Sequence, residues 1–227
     1  MVEERVSAMA IVLDQQRARF NMVEQQVRTW EVLDARVLDV IGAVPREAFV
    51  PERWRNLAYA DLEIPLGHGQ VMLKPVIEGR MLQALGIGPD DEVLEIGTGS
   101  GYTAAVLGKL GRMVTSLEIH PELAAAAQER LRAQGVRNVS VLAADGLSHA
   151  PSTRYNAIAI GAAVAQVPQR FLDWLAPGGR LFVVRGLAPV QEAMLYTEHA
   201  GARVESSLFE TDIAYLEGAS PPVRFTL

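Results

Sequence analysis

A strand-like run that breaks into alternate glycines is the part of this chain best suited to chemistry: Val93-Leu94-Glu95-Ile96-Gly97-Thr98-Gly99-Ser100-Gly101-Tyr102. Glycines at every second position let a backbone bend tightly and approach a ligand with no Cβ in the way. A dinucleotide-binding turn would read G-x-G-x-x-G, with a pyrophosphate at the helix N-terminus, but its third glycine would fall where Tyr102 stands. The spacing is E-x-G-x-G-x-G instead. An acid just ahead of the bend suits a ligand carrying an ammonium and a sulfonium rather than a pyrophosphate. S-adenosylmethionine has both charges, so residues 95–101, Thr98 and Ser100 included, are expected to hold it.

Two further acids fall at matching places. Glu118 ends the next apolar run, about 20 residues past the bend, where an acid accepts the two hydroxyls of a ribose in nucleotide-binding α/β sheets. Asp145-Gly146 follows the third run, where a short acid beside a close backbone can accept from an adenine amino group. Each alone has a plainer reading, a packing turn, a solvated strand end or a turn residue. Their joint spacing favours one ligand crevice at the carboxyl ends of successive strands.

These residues need a sheet to carry them. From residue 90 short apolar runs alternate with helix-length segments: 92–96, 113–119, 139–143, 157–160 and 180–184. That alternation predicts parallel strands joined by right-handed crossover helices. Residues 76–85 read as a helix opened by Pro75 and closed near Gly86, and 121–134 as one opened by Pro121 and ended before Gly135. Residues 192–197 and 203–213, separated by turn residues around Gly201, predict an antiparallel strand pair at the edge. Residues 176–182, with Pro177, Gly178, Gly179 and Arg180, read as a structural turn into the fifth strand. The segment 217–227 has no pattern that places it.

Upstream, residues 10–60 repeat apolar side chains at three- and four-residue steps (Ile11, Phe20, Val23, Val27; Val37, Leu38, Ile41), which predicts a helical leader. A glycine-bearing loop follows, Leu66-Gly67-His68-Gly69-Gln70-Val71-Met72-Leu73-Lys74. His68 reads either as a site residue or as a histidine ordering its own turn; Met72 and Leu73 read either as core packing or as a pocket wall. His120, His149 and His199 lack metal-ligand spacing and read as surface residues, so no metal site is expected. The division is 1–75, leader and loop, and 76–227, cofactor-binding core, within one domain of 227 residues.

Composition narrows the classes. Lys and Arg number 21 against 27 Asp and Glu, a net charge of −6, which disfavours a nucleic-acid partner. Zero cysteines exclude disulfides, thiolate metal sites and thiol nucleophiles, and suit the cytoplasm. Apolar content of 49% with 21% charged residues is that of a chain that folds alone. No apolar run approaches the ~20 residues of a membrane span, and two early glutamates stand where a secretory signal would be basic.

The chain resembles the protein-L-isoaspartate (D-aspartate) O-methyltransferases. The likeness runs through Met22-Val23-Glu24-Gln25-Gln26-Val27-Arg28, Val44-Pro45-Arg46-Glu47-Ala48-Phe49-Val50-Pro51, Ala58-Tyr59-Ala60-Asp61, Pro65-Leu66-Gly67-His68-Gly69-Gln70, the Glu95–Tyr102 bend and Pro177-Gly178-Gly179-Arg180-Leu181. It implies a Rossmann-like class I α/β fold: a mostly parallel sheet with helices on both faces, an N-terminal helical extension and an antiparallel C-terminal edge. It also implies S-adenosylmethionine at Glu95, Gly97, Gly99, Gly101, Glu118, Asp145 and Gly146, and esterification of isoaspartyl carboxylates. Family members continue Gly-His-Gly-Gln with Thr-Ile-Ser, and that serine belongs to their active site; here Val71, Met72 and Leu73 follow His68 and Gln70, and both hydroxyls are gone. Three readings stay open: repair of an isoaspartyl protein or peptide, methyl transfer to a less polar small-molecule acceptor, and a cofactor-binding module without transferase activity.

Overall fold

The structure, a computed structural model, describes residues 14–199 and 202–222. Ile11, the turn around Gly201, the side chain of His199 and residues 223–227 lie outside the described residues.

Seven strands form the central sheet in the order β5-β4-β3-β6-β7-β8-β9. They are β3 (Glu92–Ile96), β4 (Met113–Glu118), β5 (Val139–Ala143), β6 (Tyr155–Val164), β7 (Leu175–Leu187), β8 (Val190–His199) and β9 (Ala202–Thr211). Strands β3 to β7 run parallel, and β8 and β9 add the antiparallel edge expected from the sequence. The inner parallel strands are covered on both faces, so apolar residues run almost without a break, as in Val93, Leu94 and Ile96 of β3. The first crossover helices begin and end at breakers: Pro75–Leu85 has its proline in the first turn and Gly86 in the left-handed conformation after it, and Pro121–Ala133 follows His120.

One face of the sheet packs Val93, Val114 and Ala157 against Leu82, Leu85, Val106 and Leu107, and the same cluster takes in Met22, Val27, Val37 and Ile41 of the leader. The other face packs Leu94, Ile96, Ile158 and Leu181 against Phe171 and Leu175. The leader therefore shares the core rather than building its own. Among the described residues no helix is long and apolar enough to cross a membrane.

Two expectations need correction. The leader is helical but not one regular α-helix: residues 14–21 and 35–43 are α-helical, the second capped by the Asp34 side chain on the amides of Arg36 and Val37, while Met22–Val27 is π-helical and Arg46–Ala48 and Glu52–Leu57 are 3₁₀ turns that follow Pro45 and Pro51. The wider π turn changes which residues face inward, so Met22, Val23 and Val27 are buried while Phe20 is 65% exposed. The loop at residues 66–74 is a hairpin, with β1 (Ile64–Gly67) paired antiparallel to β2 (Gln70–Met72). Its two connecting residues, His68 and Gly69, have φ of +52° and +72°, the backbone of a tight hairpin turn.

Candidate functional site

The ends of β3, β4, β5 and β6 open onto a cleft. Gly97 and Gly99 form one side, Glu118 and Ile119 the middle, and Ala144, Asp145 and Gly146 the far end. This is the crevice beyond the carboxyl ends of parallel strands, where ligands bind in open α/β sheets. Gln70 and Val71 of the hairpin and Leu216 and Glu217 of the C-terminal segment complete its walls.

The bend is built from the strand beside it. The amides of Gly97 and Thr98 donate to the carbonyl of Leu117 at 2.9 and 3.2 Å, and Gly101 closes the turn on Thr98 at 2.9 Å. Glu118 then locks the bend: its Oε2 accepts from the Gly99 amide at 2.8 Å and its Oε1 from the His120 amide at 3.1 Å. A carboxylate has about four acceptor positions, so two remain for a diol. Asp145 accepts from the Leu147 amide through Oδ1 at 2.8 Å, a turn that aims its side chain at the cleft wall.

A cofactor with an adenosine and a charged sulfur fits this shape. The bend offers backbone without side chains, Glu118 offers paired acceptors at the middle, and Asp145 beside Gly146 closes the end among Ile96, Leu117 and Ile119. Gly97, Gly99, Glu118, Asp145 and Gly146 line the cleft as the sequence suggested. Thr98, Ser100 and Gly101 do not; they serve the bend itself. Thr98 Oγ1 meets Ser116 Oγ at 2.5 Å, Ser100 Oγ accepts from the Tyr102 amide at 3.2 Å, and Gly101 begins the helix Tyr102–Leu110.

Glu95 departs most from expectation. Instead of facing the cleft as an anion, it lies 1% exposed beneath the bend, where Ser116 donates to it. Burial, with the nearby acids Glu118 and Glu78 adding to it and the Ser116 bond opposing, pushes its carboxyl up to about 8. A group neutral over most of the physiological range attracts no cation. The acids that face the cleft are Glu118, Asp145 and Glu217.

The hairpin is likewise divided. Leu66 Cδ1 comes within 3.1 Å of where a Cβ on Gly99 would stand, so hairpin and bend touch. Gln70 and Val71 face the cleft, whereas Met72 and Leu73 are core residues, 3% and 7% exposed. The position that would carry a serine thus points away from the cleft. His68 turns outward, its ring stacked on that of His120 with centroids 4.5 Å apart and its Nε2 3.9 Å from Glu122. Among the described residues no group of three or more His, Cys, Asp or Glu could hold a metal ion.

Sequence reasoning missed Gly161, Ala162, Leu216 and Glu217. The first two lie in the apolar run 157–165, whose downstream end had to reach the same sheet edge. Nothing periodic marks the C-terminal segment, which is held by backbone: Ala163 donates to Ala214 at 2.8 Å and Leu216 to Ala163 at 2.7 Å.

Two glycines of the bend separate ligand space from packing space. A Cβ on Gly97 would meet nothing within 4 Å, while one on Gly101 would lie 3.1 Å from Ala127 Cβ and 3.4 Å from its backbone. Both have positive φ, +91° and +86°, so alanine adds about 1–2 kcal/mol of strain at either. Gly101→Ala should therefore lower the melting temperature the more of the two. Gly97→Ala should keep the fold and weaken nucleoside binding about tenfold or more, through a methyl placed in the cleft. Calorimetry beside a melting curve checks both.

The family model described as protein-L-isoaspartate(D-aspartate) O-methyltransferase matches residues 17–216. A protein of Synechococcus sp. named protein-L-isoaspartate O-methyltransferase is 42% identical over 214 residues, covering 91% of this chain and 83% of that protein. One of the same name from Gloeobacter violaceus is 40% identical, covering 88% and 98%. In fold, the chain is similar to a crystal structure described as a putative protein-L-isoaspartate O-methyltransferase of Plasmodium falciparum in complex with S-adenosyl-L-homocysteine, with a TM-score of 0.75 at 19% identity over 87% of this chain and 97% of that one.

Proposed function

The chain belongs to the protein-L-isoaspartate (D-aspartate) O-methyltransferase family, and from that premise we propose that it esterifies the side carboxylate of isoaspartyl residues in proteins or peptides. It is an S-adenosylmethionine-dependent methyltransferase by that membership. The observation that carries the reading is the meeting of two walls: Gln70 and Val71 of the hairpin face the same cleft as Gly97, Gly99 and Glu118. One wall suits the donor and the other the acceptor.

Bound there, the cofactor supplies a methyl group on a positively charged sulfur that leaves as a neutral thioether. Gly97 and Gly99 give its amino-acid end a close backbone, Glu118 the two acceptors for its ribose, and Asp145 with Gly146 a wall for its adenine. An acceptor carboxylate, with a pKa of about 4, is already a nucleophile at neutral pH and needs no general base. The protein's contribution is alignment of the reactants and exclusion of water, which the hairpin and residues 216–217 provide by covering the cleft.

With Leu73 in the core, Gln70 is the hairpin side chain in the cleft that can donate to a carboxylate. Among the described residues its Nε2 makes a 3.5 Å contact with the His68 carbonyl, long enough to be given up for an anion. Val71 on the same wall favours a less polar acceptor, and one assay separates the two classes. Labelled S-adenosylmethionine is offered with an isoaspartyl peptide, its aspartyl twin and carboxylated small molecules; label on the isoaspartyl peptide alone is expected. Transfer only to a small molecule would move the chain to the other acceptor class, and none at all to a binding role.

Restoring the missing hydroxyls should not act uniformly. Val71→Thr places a donor in the cleft and should raise isoaspartyl kcat/KM by about tenfold, worth about one charge-assisted hydrogen bond. Leu73→Ser empties a core position and should cost about 2–5 kcal/mol of stability with no gain in rate. Kinetics and urea unfolding of the two variants check the contrast.

A further inference from the structure

A charged pair is sealed beneath the hairpin. Arg46 is 0% exposed and Glu78 2%. The Arg46 Nη1 donates to Glu78 Oε2, and its Nη2 donates to the carbonyl of Leu73, the residue just past β2. The second Glu78 oxygen accepts from Thr103 Oγ1 at 3.0 Å, and the guanidinium carbon sits 4.7 Å from the centre of the Tyr102 ring. Tyr102 and Thr103 open the helix that leaves the glycine bend. One side chain therefore joins a turn of the leader, the helix Pro75–Leu85, the end of the hairpin and the first turn of the bend's helix.

Stability does not explain such a pair. Taking two charges out of water costs several kcal/mol each, and apolar replacements of similar volume are often neutral or stabilising. Burial pushes the Glu78 carboxyl above its usual range against the opposing pull of Arg46 and Thr103, a sign of that cost. What a planar fork provides is direction: its separate N–H groups fix two acceptors in one plane.

We infer that Arg46 is a positioning residue, which sets the hairpin wall of Gln70 and Val71 against the glycine bend by holding the Leu73 carbonyl and the Glu78 carboxyl in one fork. The inference rests on reading that wall as the acceptor side, and it predicts a split between the two substrates. Losing the fork lets the hairpin drift while Gly97, held by the Leu117 carbonyl, and Gly99, held by Glu118, stay in place.

Two variants and two readouts test it. Arg46→Lys keeps a positive charge beside Glu78 but replaces the fork by a point charge; the double variant Arg46→Met with Glu78→Gln removes the charges together and so avoids an unpaired buried ion. In both, amide hydrogen exchange of residues 64–73 should quicken by about tenfold with β3 and β4 unchanged. The isoaspartyl-peptide KM should rise by roughly ten- to a hundredfold, the scale for a misplaced reactant, while the S-adenosylhomocysteine Kd stays within about twofold. Unchanged hairpin exchange in both variants overturns the inference, as does a cofactor Kd that shifts as much as the peptide KM. If the wild type methylates no isoaspartyl peptide, the acceptor reading has failed, and the exchange measurement alone decides for or against Arg46.

Discussion

Glu118→Ala is expected to weaken S-adenosylmethionine and S-adenosylhomocysteine alike, by about a hundredfold or more in Kd. A charge-assisted hydrogen bond contributes about 1.5–3 kcal/mol, each roughly ten- to a hundredfold in affinity. The carboxylate would lose its bonds to a ribose diol, and it would also release the amides of Gly99 and His120, which it now holds at 2.8 and 3.1 Å. The second loss adds to the first because Gly99 lies on the cleft wall: an unlocked bend must be re-ordered whenever the ligand binds. Glu118→Gln is intermediate, since one amide oxygen can serve Gly99 or His120 but its NH₂ confronts the other donor. The two ligands differ by the sulfonium charge. An equal loss for both marks Glu118 as a ribose and backbone anchor, whereas a greater loss for S-adenosylmethionine would mark it as a charge partner of the sulfur. Calorimetry with both ligands reads this directly, and an unchanged Kd for both would remove Glu118 from the site.

The contrast between Glu118 and Glu95 shows what the sequence could carry. The positions of both acids followed from strand spacing, and β3, β4, β5 and the crossover helices lie where apolar runs and proline or glycine breakers put them. Direction did not follow. Successive side chains of a strand point to opposite faces, so Glu95, one residue short of the bend, could have faced ligand or core with equal ease in the pattern; the pairing of Glu95 with Ser116 in register settles it toward the interior. The hairpin reads as a loop because a three-residue strand has no visible period, and Leu73 stays open between core and pocket wall in the sequence because alignment of a motif fixes position along the chain, not which way a side chain turns. Arg46 and Glu78 carry no short-range signal at all, being 32 residues apart and joined only by the packing of the leader on the core.

Replacing Glu95 by glutamine should reshape the dependence of stability on pH. The native carboxyl holds its proton up to about pH 8, while in the unfolded chain it lets go near 4.5. Below the lower value both states are protonated and the group costs the fold nothing. Between the two values the native state binds the extra proton, so stability must fall as pH rises, by at most about 1.4 kcal/mol per unit. Above about 8 both states are ionised and the decline stops. Glu95→Gln has no proton to lose and keeps an oxygen for Ser116, so its stability relative to the wild type should improve steadily from pH 5 to pH 8. Ser116→Ala should act in the opposite sense, because removing the donor that favours the anion raises the native value further and widens the window. Urea unfolding of the three proteins at pH 5, 6.5 and 8 measures the slopes; parallel curves for wild type and Glu95→Gln would mean that the buried carboxyl does not hold its proton. A steeper decline for the wild type would place the cleft's cation attraction on Glu118, Asp145 and Glu217, since an acid that is neutral at pH 7 leaves that work to the ones that line the walls.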